Sequence, residues 1–580
     1  MKKIFIPIFT VALLFATSCK KEFFDINNNP NSPTEASVTP DVLLTRMLHN
    51  LGVRTVNGYD YAAQWTGYWA HSGTYGQSAE IESYQITAAF QAAQWSNWYD
   101  LAFDASILEK KGLALNKPFY VATAKVVKAF CFMNIVDQYN NAPYSKAFDY
   151  LNNITPAYDK AEDIYADLFV QLDQAAKLFK TGDGSTPTAE EQAADIMFGT
   201  MGYNHGANES MMWRKVANTM RLKLLIHMSQ LPTTAAKAAT VVAAITADGA
   251  GYLGVGETAA VNPGYVAVNG KQNPYWDTYK ISALGALDQY NRANTYLLQK
   301  FMGPDGRFGA NNPGFGAATL VLSPTPTAEE IVAYNTQQTQ RAKITADAAD
   351  DDLRYMYVFS KTISPLTAPQ FGFPAQTPAP INNYIGAQFG EVVPNADVYK
   401  ASNQSDVAGP GLAKSLSQPQ QVLTGIESLF LQAEAAARNY TSGTASTLLK
   451  DAITESFTFL GVNKTTIGGD ITPADAATDY MTKRTVLTRL TAASDADAKA
   501  KVIVFEKYLS LIGLNHLEAY TDYRRLGVPA DLPLSLNPAR VANVIPLRLQ
   551  YPQNEFNYNR DNVNGQGVIN PQTSTIFWDR

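Results

Sequence analysis

Apolar positions recur along this chain at a spacing of three and four, the mark of helices that bury one face. Thr39-Pro40 opens the first, with Thr as cap and Pro in the first turn, and Leu44, Met47, Leu48 and Leu51 supply its buried stripe. Lys117-Pro118 opens a nearly all-apolar helix through Val136, a pattern that belongs at the centre of a core. Asp159 and Glu162 have capping-box spacing ahead of Ile164, Leu168, Leu172, Ala175 and Phe179. Trp213, Val216, Ala217, Met220 and Leu224 repeat the stripe. Further on, Ile426, Leu429, Phe430, Ala433 and Ala437 form one face. A short link leads to Leu449, Ala452, Ile453, Ser456 and Leu460, closed by Gly461. Val502, Phe505, Leu509 and Ile512 mark a last strong helix.

Two helices joined by a brief turn resemble the unit of a tetratricopeptide-type solenoid, although no repeat signature is legible. Between the helices lie stretches rich in Gly, Pro and Asn, at 250–280, 302–325, 361–424 and 529–580. Loops this long in a compact protein are functional or disordered. The expected fold class is therefore mainly α, tetratricopeptide-like helix pairs forming a scaffold, with long irregular loops and few short strands.

The N-terminus departs from this pattern. Lys2 and Lys3 precede the apolar run Ile4 to Phe15, then the small residues Ala16-Thr17-Ser18, then Cys19. This is the anatomy of a secretory signal, too short to remain across a bilayer. A Cys directly after small residues reads as a lipobox, with Ala16 where Leu is more usual, so Cys19 is the expected lipidation site. The expected organisation is a signal peptide over 1–18, a lipidated tether over 19–40, and a single ligand-binding domain over 41–580. No later segment is a continuous apolar run long enough to predict a membrane helix.

Only two Cys occur, Cys19 and Cys131, and Cys131 lies in the apolar stretch Val126 to Met133, so no disulfide framework is expected. Charged residues make up 17% with a formal net charge of −6. That balance, without a Lys/Arg stripe, argues against nucleic acid as a partner. Aromatics reach 11%, including 31 Tyr. Tyr and Trp pair a flat apolar face with a polar edge, which suits sugar rings and wet interfaces.

Catalytic and metal motifs are weak. His49, His71, His205, His227 and His516 are scattered without metal-ligand spacing. His516-Leu517-Glu518 abuts Tyr520, Tyr523, Arg524 and Arg525 and reads as a structural polar cluster. Asp347, Asp350, Asp351 and Asp352 do not follow an EF-hand loop and read as a solvated helix start. Gly303 to Gly309 lacks the Lys-Ser/Thr ending of a phosphate loop and reads as a turn. With 52 acidic residues, a carboxylate pair for glycoside hydrolysis stays open, and no spacing favours it. No cofactor is expected.

The densest aromatic stretch is Tyr59 to Tyr99, which holds Trp65, Trp69, Trp95 and Trp98. Trp65 and Trp69 are spaced to share a helical face. Trp65, Trp95 and Trp98 read as core, whereas Trp69, Tyr75 and Gln77, near or in a polar turn, read as ligand-binding candidates. In Gln272-Asn273-Pro274-Tyr275-Trp276-Asp277, Pro274 predicts a turn or extended segment that leaves Tyr275 and Trp276 in a loop. Tyr384 is a further candidate.

These pieces together resemble the SusD/RagB family, in its SusD-like, starch-binding-associated branch of outer-membrane lipoproteins. The resemblance begins at Cys19-Lys20-Lys21-Glu22-Phe23-Phe24 with the following Asn29-Pro30-Asn31, and continues at Asn273-Pro274-Tyr275-Trp276. Asp350-Asp351-Asp352-Leu353-Arg354-Tyr355 is similar to the family's Asp-Pro-Arg segment, without the Pro. Glu427 to Ala436, Tyr523 to Pro529, Ile545 to Glu555 and Ile576-Phe577-Trp578-Asp579 resemble its later motifs, in order.

The resemblance implies four tetratricopeptide-like helix pairs supporting an irregular ligand-binding half. It also implies a SusC-like TonB-dependent transporter as partner, anchorage in the outer membrane with the body at the cell surface, and an oligosaccharide or peptide ligand. The expected function is non-catalytic capture of a glycan and its delivery to that transporter. Peptide binding on the same architecture, a surface glycan hydrolase and a pure interaction scaffold are the alternatives.

Overall fold

The computed structural model describes residues 37–200, 202, 208–301, 327, 352–360, 384, 386–391, 401–465 and 468–579. The signal peptide at 1–18, Cys19, most of the tether, His205, the Gly303 to Gly309 turn, and Asp347, Asp350 and Asp351 lie outside the described residues.

The first half runs α1 (Pro40–Val56), α2 (Asp60–Trp65), β1 (Trp69–His71), α3 (Ala92–Ala114), α4 (Pro118–Tyr139), α5 (Ala161–Leu178), α6 (Ala189–Ala194), α7 (Glu209–His227) and α8 (Thr234–Asp248). There follow β2 (Ala259–Val261), α9 (Pro274–Tyr279), β3 (Asn291–Ala293), α10 (Thr295–Phe301), α11 (Tyr355–Val358) and β4 (Gln420–Leu423). The last third runs α12 (Gly425–Ala437), α13 (Ala445–Leu460), α14 (Pro473–Lys483), α15 (Val486–Ala492), α16 (Ala496–Ser510), α17 (His516–Leu526), α18 (Gln553–Tyr558) and α19 (Arg560–Asn564). The protein is mainly helical, as the periodicity predicts. Among the described residues the strands form two short antiparallel pairs, β1 with β3 and β2 with β4.

Several boundaries fall where the sequence places them. Pro40 and Pro118 each occupy a first helical turn, where a missing N–H costs nothing. Gly461 ends α13 at φ 70°, a left-handed conformation that a Cβ would penalise. α4 is long and apolar enough to cross a membrane by composition, yet 83% of its most apolar window is buried inside the protein. It is a core helix.

Other local expectations fail. Asp159 does not cap α5; its carboxylate instead accepts from the backbone N–H groups of Tyr144 and Ser145, both at 2.9 Å. A loop with unsatisfied donors competed for the same acceptor. The capping box sits on α6, between Thr188 and Glu191. Asp352 is not a solvated helix start. It is fully buried and bonded to Arg354, whose guanidinium lies 4.8 Å from the Phe457 ring and 4.9 Å from that of Tyr480.

Among the described residues the helices pack around two large apolar clusters. One is centred on α3, α4, α5 and α7, the other on α12, α13, α14 and α16. Leu222 and Ile226 of α7 meet Leu431 and Ala435 of α12 between them. Beside this seam runs a chain of buried ion pairs. Lys223 meets Glu427 at 2.6 Å and Glu518 at 2.9 Å, Lys507 meets Glu518 and Asp522, and Arg525 bridges Asp522 and Glu434 at 2.7 and 2.6 Å. Buried charges survive only when paired this closely. The cluster around His516 to Arg525 is thus structural. His516 itself is buried, and burial pushes its pKa down to about 3.

A tyrosine face at the edge of the β1–β3 pair

β1 and β3 pair in the register Trp69 with Ala293 and His71 with Asn291. That pairing brings together two loops from distant parts of the chain, the one after His71 and the one before Asn291. Ser72 stitches them, donating its N–H to Tyr290 O at 2.8 Å and its hydroxyl to Gln289 O at 2.6 Å. Behind them His71 pairs with Glu82, both buried, and Glu82 also accepts from Ser78 N at 2.7 Å. The loop bearing Tyr75 is therefore held at both ends.

An aromatic ladder climbs from this anchor to the surface. The Tyr290 ring lies 6.2 Å from His71, and Tyr75 meets Tyr290 edge to face at 5.3 Å. Burial pushes the Tyr290 hydroxyl up to about 12, so it stays a neutral donor at physiological pH. Tyr75 is 45% exposed. Around the ladder are polar groups with fixed directions. Arg292 donates to Ala401 O at 3.0 Å and to Asp288 O at 3.1 Å, and Thr74 Oγ1 accepts from Ala401 N at 3.0 Å. Asp288 uses one carboxylate oxygen for Tyr290 N, at 2.8 Å; its Oδ2 has no hydrogen-bond partner among the described residues. Beside them, the bridge between Ile281 and Leu287 carries the exposed Leu284.

An exposed aromatic edge beside a neutral phenol and oriented polar groups is chemically suited to a ligand with both apolar faces and hydroxyl groups.

The six residues singled out from sequence do not converge. Tyr75 and Gln77 share the β1–β3 edge, but Gln77 is tied by its side-chain amide to Gly390 O at 2.5 Å. Trp69 lies beneath, not on a helix with Trp65: α2 ends at Trp65 and Trp69 begins β1. Its ring is fully buried, edge-on to Tyr279 at 4.9 Å and to His516 at 4.3 Å. Tyr275 and Trp276 are not in a loop. Pro274 starts the short helix α9, and Asn273 caps it by accepting from Trp276 N at 2.9 Å. Tyr275 is buried with its hydroxyl on Val407 O at 2.8 Å, and Trp276 is half-buried against the second core. Tyr384 is also buried, edge-on to Tyr355 at 4.9 Å.

Of the six, Trp69, Tyr275 and Tyr384 thus serve packing where the sequence reading expected ligand contact, because each ring sits on a face covered by another element. The sequence does not single out Tyr290, Asp288 and Arg292. Only the polar run Asp288-Gln289-Tyr290-Asn291-Arg292 after Gly285 hinted at them.

Comparison with known proteins gives this geometry a context. A family model described as starch-binding, associating with the outer membrane, matches residues 30–294 and 325–552. No curated protein matches the chain. Among solved structures, a SusD homolog from Bacteroides fragilis NCTC 9343 is 18% identical, with 94% of this chain and 100% of that one covered and a TM-score of 0.65. A SusD/RagB family protein from Bacteroides thetaiotaomicron VPI-5482 is 17% identical, covering 93% and 99%, with a TM-score of 0.64. A chitin-binding protein is 20% identical, covering 93% and 100%, with a TM-score of 0.62. At these identities the structures speak to the fold, and the family model speaks to descent: this chain belongs to the SusD-like branch of the SusD/RagB family.

Proposed function

We propose that the protein is a non-catalytic nutrient-binding lipoprotein that captures an oligosaccharide at the Tyr75–Tyr290 face. From there it passes the ligand to a TonB-dependent transporter in the outer membrane. Cys19 carries the lipid, and residues 20–40 are the tether that lets the body move over its partner. The observation that carries the reading is the exposed Tyr75 ring, braced by Tyr290 and set beside Asp288 and Arg292. A sugar ring presents C–H groups to such an edge and hydroxyls to the flanking polar atoms. The family's description as starch-binding and the fold shared with a chitin-binding protein support a glycan as the ligand class.

The test is calorimetric titration of the mature protein with maltoheptaose and chitohexaose, followed by chromatography of the recovered sugar. Saturable binding, weakened about tenfold by Tyr75→Ala (about 1.4 kcal/mol), with the oligosaccharide recovered intact, is expected. Shortened products would make it a hydrolase, and binding insensitive to Tyr75→Ala would move the site elsewhere. For the anchor, labelling with a fatty-acid analogue should disappear in Cys19→Ala.

A further inference from the structure

On the helical side, α4, α5 and the loop after Ala142 enclose a cleft of about 680 Å³ that has no part in the tyrosine face. Its wall is aromatic: Phe132 meets Tyr144 edge to face at 4.6 Å, with Phe148 beside them. Its polar lining is one-sided. Asp149, Asp159, Asp163 and Asp167 all face it, against Lys128, which shares Glu109 with Lys125 at 2.9 and 2.8 Å, so the carboxylates outnumber the cations.

The carboxylates are held in place. Tyr144 donates its hydroxyl to Asp167 at 2.5 Å, and Asp159 takes the Tyr144 and Ser145 N–H groups. Asp163, exposed on the first turn of α5, makes no side-chain hydrogen bond or ion pair among the described residues. The loop that forms one lip carries two large apolar side chains into solvent, Leu151 at 81% exposed and Ile154 at 86%.

Each feature narrows the occupant. Four carboxylates repel phosphate, nucleic acid and anionic lipid headgroups. They are also dispersed: among the described residues no group of three or more acidic, His or Cys side chains is placed to hold one metal ion. Spread negative charge over an aromatic wall matches several cations on flexible stems, since ammonium and guanidinium groups gain from carboxylates and ring faces together. Exposed apolar residues on the lip mark a surface that docks protein.

We infer that this cleft is a docking site for a basic, amphipathic segment of a partner protein, taking its Lys or Arg side chains between the aspartates while Leu151 and Ile154 cover its apolar residues. The inference stands whether or not the tyrosine face binds a glycan.

The probe is a fluorescent heptapeptide alternating arginine and leucine, with a counterpart carrying glutamate for arginine, titrated into the mature protein and followed by anisotropy. Saturable binding of the arginine peptide alone is expected, weakened at least fivefold by Asp163→Lys and again by raising salt from 50 to about 300 mM. Because Leu151 is exposed, Leu151→Ser should weaken binding while leaving thermal unfolding unchanged. Asp163→Lys also sets a cation at the N-terminal turn of α5 and should lower the melting temperature by no more than about 2 °C. Equal binding of the two peptides, no saturation by millimolar concentration, or indifference to both substitutions would overturn the assignment. So would preferential binding to phosphatidylglycerol vesicles.

Discussion

The imidazole of His227 meets the carboxylate of Glu518 at 3.0 Å, 291 residues away in sequence, and turns its other nitrogen to Asp137 at 3.2 Å. The ring is thus gripped between carboxylates from α17 and α4. Lys223 also reaches Glu518, and Tyr165 and the indole of Trp578 donate to Asp137. Helices from both halves of the chain and its C-terminal end meet at one ionic knot.

That knot makes stability pH-dependent. Burial disfavours the imidazolium, but Glu518 and Asp137 together outweigh it and raise the pKa of His227 above its ordinary value of 6.5. The folded state then holds its proton more tightly than the unfolded chain. The contribution is fully present below about pH 6.5 and is lost as pH rises through the folded pKa. Urea midpoints measured from pH 6 to pH 9 should fall for the parent protein and slope less for His227→Gln. Equal slopes would remove His227 from the account.

At low pH a different group contributes. Glu434 is fully buried, yet Arg525 and Arg438 overcome the burial penalty and hold its pKa down at about 2. Its contribution is present above the unfolded value near 4.5 and is lost as pH falls towards 2. Arg525→Ala leaves Glu434 and Asp522 facing each other without their shared cation. Breaking a buried pair in this way should cost about 3–5 kcal/mol in chemical denaturation at pH 7. A loss under 1 kcal/mol would mean that the network relaxes around the gap.

Trp69 and Tyr75, six residues apart, should separate stability from recognition. Trp69→Ala empties a fully buried site between Tyr279 and His516 and should cost about 3–5 kcal/mol. Tyr75→Ala removes an exposed ring and should leave the melting temperature within about 2 °C, consistent with about 0.5 kcal/mol or less. Glycan affinity should fall for Tyr75→Ala. Trp69→Phe, which preserves an aromatic filling, should keep affinity while still losing some stability.

Cys131 should be silent towards thiol reagents. Its side chain is fully buried in α4, and burial pushes the thiol pKa well up, so the reactive thiolate is suppressed. Reaction with a disulfide reagent at pH 8 should be negligible in buffer and complete in denaturant. Rapid labelling of Cys131 under native conditions would show that the core around α4 opens.

The helical framework was legible because its signals are local. A proline in the first turn of α1 and α4, the stripe from Ile426 to Ala437 and the glycine after Leu460 each act within a few residues of themselves. The buried charges were half-legible. Lys223 and His227 are four apart on α7, Glu427 and Glu434 seven apart on α12, and Glu518, Asp522 and Arg525 share a face of α17. Helical geometry puts each set on one side. Nothing in the chain says that the sides face one another.

The aromatics show where such reading ends. Trp69 and Tyr75 look alike in sequence, both beside polar turn residues, and only packing separates them. α9 and α17 cover the first, whereas the second rests on Tyr290 alone among ring contacts of the described residues and stays 45% exposed. Asp159 likewise had the spacing of a cap, but the Tyr144–Ser145 turn brought two free N–H groups to its carboxylate first. By itself the sequence determined the long helices and the family, and it leads one to expect an exported, lipidated N-terminus. Which rings face solvent was settled by the β1–β3 pairing, which joins residues more than two hundred positions apart. Burial is a property of what lands on a side chain, and the chain writes that down only once it has folded.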